Sequence, residues 1–82
     1  MKLGEIQVVG VAKRDKDGNI SYILHGVTPF DDWENGVGLK TVQEWTRYDL
    51  SSLNKGDIIV PVYTRGFQGK AQLCGYNLVN NK

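Results

Sequence analysis

The sequence predicts an all-β fold, a single small five-stranded barrel over residues 1–82 with a projecting N-terminal hairpin. Three observations predict it. No stretch of the chain sustains the 3.6-residue apolar period of an amphipathic helix. Five runs rich in β-branched and aromatic residues are separated by glycine, asparagine and aspartate turn chemistry. Ten glycines stand against two prolines in 82 residues, a balance suited to many tight turns. Five strands in so short a chain, with one long middle connector, fit a closed or nearly closed barrel.

The first strand is read at Glu5–Lys13. Its apolar phase passes from Ile6 and Val8 to Val9 and Val11, and a bulge near Gly10 produces such a shift. The polar segment Arg14 to Asn19 ends in Asp17-Gly18-Asn19, strong reversal chemistry. The second strand follows at Asn19–Val27, with Ile20, Tyr22 and Leu24 on one face. The charged tip of this hairpin is not core material, so the hairpin is expected to project.

Thr28 to Lys40 is an acidic connector holding Asp31, Asp32 and Glu34. A helical turn is expected to start at Asp31, because carboxylates favour helix N-termini, with Phe30 and Trp33 pinning the segment to the body. The third strand is read at Thr41–Tyr48. Alternation places Val42, Glu44, Thr46 and Tyr48 on one face and Gln43, Trp45 and Arg47 on the other, without saying which face is buried. Asp49 to Asp57 connects onward, with Leu50 and Leu53 inward and a helical turn capped by Asp49 or Ser51. The fourth strand is Ile58–Thr64, the reversal Gly66-Phe67-Gln68-Gly69, and the fifth strand Ala71–Val79.

Charge and composition narrow the function classes. Net charge is +1, so any electrostatic footprint is local: residues 1–39 carry −2 and residues 40–82 carry +3. The single cysteine excludes an intramolecular disulfide and is compatible with a reducing cytoplasm, the expected location. No apolar run reaches signal-peptide or membrane-span length, and no membrane association is expected. Catalysis finds little support. His25 has no cysteine, serine or carboxylate at a motif spacing, and Cys74, beside Leu73, reads as a buried small apolar residue. The acidic loop lacks calcium-loop spacing, and there is no zinc-ligand set. No cofactor is expected, and an enzyme is the least favoured class.

Binding finds more. The first hairpin carries Lys13, Arg14 and Lys16 at its tip, with Tyr22 on its return strand. Trp45 lies between Gln43 and Arg47, and the last turn carries Arg65, Phe67 and Lys70. Rings interleaved with cations suit single-stranded nucleic acid, whose bases stack and whose phosphates are anionic. The same pattern arises when Tyr22 and Trp45 are core and the cations merely solubilise.

Two stretches carry a family resemblance. Val9-Gly10-Val11-Ala12-Lys13-Arg14 with Gly18-Asn19-Ile20-Ser21-Tyr22-Ile23-Leu24 is similar to the DNA-binding wing of the helix-destabilising, single-stranded DNA-binding proteins of filamentous phages and their mobile-element relatives. Tyr48 to Gly56, Gly66 to Gly69 and the ending Leu78 to Lys82 resemble the C-terminal part of that family. The resemblance implies an OB-like barrel, a homodimer, and cooperative coating of single strands during phage, plasmid or mobile-element DNA replication. It implies phosphate contacts from Lys13, Arg14 and Lys16, stacking on Tyr22, and base contacts from Phe67. The chain departs from the family in its diluted wing charge, its acidic Phe30–Glu34 segment and an extra strand at Ile58–Tyr63. Two readings of another class stand beside it: a small SH3-like or OB-like protein-interaction barrel recognising its partner through Phe30–Glu34, and an assembly subunit of a phage or mobile-element particle.

Overall fold

The computed structural model describes residues 1–66 and 69–79. Five strands form one antiparallel sheet: β1 (Ile6–Lys16), β2 (Asn19–Pro29), β3 (Leu39–Thr46), β4 (Ile58–Arg65) and β5 (Ala71–Leu78). Their spatial order is β3-β2-β1-β4-β5. Three hairpin-linked strands with a fourth returned beside the first make a Greek key, and β5 extends it by one more hairpin.

The β1–β2 register follows from two local features. Asp17 and Gly18 both have positive φ, 52° and 82°, as a two-residue type I′ turn requires, so Lys16 faces Asn19 and Arg14 faces Ser21. Further down, the register shifts between Val8 and Gly10. This is the bulge expected from the apolar phase, and it lets Ile6, Val8 and Val11 all contribute to the core. Beyond Tyr22, β2 has no third-strand partner, because its pairing with β3 ends at Tyr22–Thr46. The hairpin tip therefore projects as a two-stranded ribbon. This also explains why Ile20 is exposed while Tyr22 and Leu24, on its face, are buried.

The core comprises Ile6, Val8, Tyr22, Leu24, Leu50, Leu53, Ile59 and Leu73. Leu50 and Leu53 come from the connector between β3 and β4, which closes one end of the sheet. It is a chain of tight turns rather than a helical turn: Asp49 Oδ1 accepts from Ser51 N at 2.8 Å, and Leu53 N donates to Leu50 O at 3.1 Å. It is sewn to β1 by Gly56 N to Val8 O at 2.8 Å and Val8 N to Asp57 O at 2.7 Å.

The sheet curls but does not close into a barrel. No ladder joins β3 to β5. Their meeting is a side-chain bond. Thr46, fully buried at the end of β3, donates from Oγ1 to Leu73 O at 2.7 Å and accepts from Tyr48 N at 2.9 Å. Cys74 is exposed rather than buried: β5 shifts register where Val62 pairs Gly75 and Tyr63 pairs Leu73, and the unpaired residue between them is Cys74. Among the described residues no helix is long and apolar enough to cross a membrane.

Thr46→Val removes both hydroxyl bonds while keeping the side chain's shape. The loss expected is about 1–3 kcal/mol, the cost of leaving buried polar groups unmatched, read as a lowered denaturant midpoint at unchanged m-value. A midpoint equal to wild type would show that the seam is held by apolar packing alone.

Candidate nucleic-acid interface

Strand alternation sorts the candidate residues onto two faces. Arg14 and Lys16 on β1 pair with Ser21 and Asn19 on β2, and Ile23, two residues beyond Ser21 on the same face, pairs with Trp45 on β3. All of these, with Gln43 and Arg47, lie on the outward face. Together Arg14, Lys16, Asn19, Ile20, Ser21, Trp45 and Arg47 line an open groove of about 320 Å³. Trp45 is 46% exposed, so it is a surface ring and not core. The Arg47 guanidinium lies 5.8 Å from the ring centroid, within cation–π range. Arg14, Lys16 and Arg47 have no ion-pair partner among the described residues.

Arg47 also lines a second open cleft, of about 280 Å³, with Thr46, Tyr48, Thr64, Gln72, Leu73 and Cys74. Arg47 is thus shared between the groove and this cleft at the β3–β5 seam, and it is the one cation among the cleft's lining residues. Arg65 and Lys70 flank that turn and are exposed, but line neither cleft. The turn is closed by Gly66 N donating to Lys70 O at 2.6 Å. Phe67 lies outside the described residues.

Two candidates lie on the face of the sheet opposite the groove. Tyr22 is only 7% exposed and belongs to the core, so it offers no face for a base to stack on. Burial first, and then the Asp49 carboxylate facing its hydroxyl, push its pKa up. Lys13 pairs with Tyr22 and shares its face, opposite to Arg14 and Lys16, but lies where the hairpin leaves the core and is exposed. There it helps hold the Asp49 carboxyl below its usual range, after the larger effects of the hydrogen bonds from Ser51 and Tyr22. Asn19 and Ser21 belong to the groove although their side chains carry no chemical cue. The Asp17-Gly18 turn fixes the register that sets them opposite Lys16 and Arg14, whereas Ile20, opposite Asp15 on the other face, reaches the groove at the hairpin tip.

The acidic connector forms a second surface, at the far end of β2. It contains one 3-10 turn, Asp32–Glu34, starting after Asp31. Glu34 braces it: its Oε1 accepts from Asp31 N at 2.6 Å and from Lys40 Nζ at 2.8 Å. Phe30 packs its ring over Gly36, where a Cβ would overlap the ring, and Asn35 takes the left-handed conformation at φ 51°. Trp33 does not pin the loop to the body. It is 79% exposed and stands out from the braced turn.

A third opening, of about 370 Å³, lies at the mouth of the curled sheet between Lys40, Val42 and Glu44 of β3 and Pro61 and Tyr63 of β4. Burial and then Glu44 raise the Tyr63 pKa across this gap. No family model matches the chain, and neither a curated protein nor a solved structure matches it.

The Lys40–Glu34 bond fixes the pH range of the loop brace. Lys40 first, then the Asp31 backbone, lower the Glu34 pKa, so the carboxylate's contribution is present above its ordinary 4.5 and is lost as pH falls below it. Glu34 raises the Lys40 pKa, so that contribution is present below its ordinary 10.5 and is lost as pH rises above it. In a Trp45→Phe background, Trp33 fluorescence and anisotropy should hold steady between these limits and change on acidification. Lys40→Met should abolish the plateau.

Proposed function

We propose that the chain is a non-enzymatic, sequence-tolerant binder of single-stranded nucleic acid. The observation that carries this reading is the gathering of Arg14, Lys16 and Arg47 around the exposed Trp45 ring on one outward face. The indole supplies a stacking surface open to any base, and the three cations supply phosphate neutralisation without base readout. Partly open Greek-key barrels of five strands use the β2–β3 face and the loops after β1 and β4 for such ligands, and here the groove sits on that face beside the first of those loops. Single-stranded DNA is the ligand that the resemblance in the wing and C-terminal part favours, and with it a role in replication of a phage or mobile element and a homodimer as working unit.

Within this reading, Trp45, Arg14, Lys16 and Arg47 bind directly, and Arg65 and Lys70 extend the cationic track past the β3–β5 seam. Tyr22 and Lys13 act only by shaping the hairpin from its opposite face.

Intrinsic fluorescence titrated with poly(dT) tests the reading. Saturating quenching that reverses with salt is expected. Trp45→Ala should weaken binding roughly 5- to 150-fold, the equivalent of one stacked base at about 1–3 kcal/mol, while stability changes by about 1 kcal/mol or less because the ring is exposed. Arg47→Ala should flatten the logarithmic salt dependence by about 0.7, one released counterion on a single strand. Unaltered fluorescence at low salt would leave the fold and remove its ligand.

A further inference from the structure

The Trp33 loop and the Trp45 groove are complementary in charge, and each presents an exposed indole. On the loop, an indole that is 79% exposed is held outward with Val37, 95% exposed, beside Asp31 and Asp32. Lys40 is committed to Glu34 at 2.8 Å and reaches Asp31 only at 3.9 Å, so Asp32 has no ion-pair partner among the described residues. The loop is prepaid in conformational entropy, since Glu34, Lys40 and the Phe30–Gly36 contact already fix its shape. A rigid, exposed tryptophan ringed by polar groups has the form of an interface anchor. Its negative charge disfavours nucleic acid as the occupant and favours a cationic one. The groove supplies that chemistry: three cations with no ion-pair partner among the described residues, an aromatic wall, and an open volume of about 320 Å³.

The two surfaces lie at opposite ends of β2. Its eleven residues, Asn19–Pro29, span roughly 35 Å of extended chain, so the loop of one copy does not reach its own groove. We infer that the Trp33 loop docks in the Arg14–Lys16–Arg47–Trp45 groove of a second copy of this chain, head to tail. Such a contact is heterologous. It leaves a free groove at one end and a free loop at the other, and it propagates into rows of copies. Carboxylates and an indole then occupy the positions that phosphates and a base take in the nucleic-acid reading, so loop and oligonucleotide compete for one groove. The inference shares that groove with the proposed function but not its ligand.

Sedimentation velocity of the full chain over a concentration series, at low and high salt, tests it. Wild type should grow in mass with concentration, and salt should reverse the growth. Trp33→Ser, which kills the loop, and Arg47→Glu, which kills the groove, should each weaken association by roughly thirtyfold or more. Mixed together, the two variants should recover one-to-one pairing that extends no further, because each brings one working surface. Both positions are exposed, and circular dichroism of each variant confirms its fold before mixing. Association that survives both substitutions, or a mixture that stays apart, would overturn the inference. Poly(dT) should dissolve wild-type rows and bind Trp33→Ser at least as tightly as wild type; poly(dT) bound on intact rows would overturn the shared groove. A chain that pairs in the mixing experiment yet ignores poly(dT) would remove the nucleic-acid reading alone.

Discussion

The hydroxyl of Thr46 is the interaction on which the arrangement of the binding face depends. A five-stranded Greek key leaves β3 and β5 as free edges, and here no ladder joins them. One fully buried side chain bridges the seam by donating to Leu73 O and accepting from Tyr48 N. Because Thr46 lies between Trp45 and Arg47, alternation turns both neighbours outward as soon as its own side chain turns in. The same bond that gathers the sheet's two edges therefore presents the stacking ring and its cation, and brings Arg47 beside Thr64 and Gln72.

The wing shows how alternation divides a basic cluster. Lys13, Arg14 and Lys16 are close in sequence, yet Lys13 shares the face of Tyr22, toward Asp49, while Arg14 and Lys16 face the groove. The division follows from the Asp17-Gly18 turn, which sets the pairing of every residue above the bulge. A charge count over the tip treats the three as one feature; the two-residue period of the strand makes them two.

The molecule also leaves large apolar side chains in water, Trp33 above all. Fully burying a side chain of this size is worth on the order of 2–3 kcal/mol, and Trp33 forgoes it. The loop spends polar contacts from Glu34 and Lys40 to hold that exposed position instead of collapsing onto the body. An 82-residue domain has limited area to bury, so a surface kept apolar and rigid at such cost is best understood through what covers it.

The sequence by itself determined the all-β class, the strand runs to within a few residues, the β1 bulge, the inward Leu50 and Leu53, and the two faces of β3. Each of these is written in a period of two or in local turn chemistry, which the backbone reads over a few residues. Which face of β3 meets the core was a matter of tertiary structure, because Val42–Glu44–Thr46 and Gln43–Trp45–Arg47 are about equally mixed in polarity. The burial of Tyr22, the exposure of Trp33 and Cys74, and the open seam were likewise decided by packing. Tyr22 gains a core position because β3 still covers β2 at that level, whereas Ile20, one step further out, does not. Cys74 is displaced by a register shift between two strands, and a mismatch between partners is invisible in either strand alone.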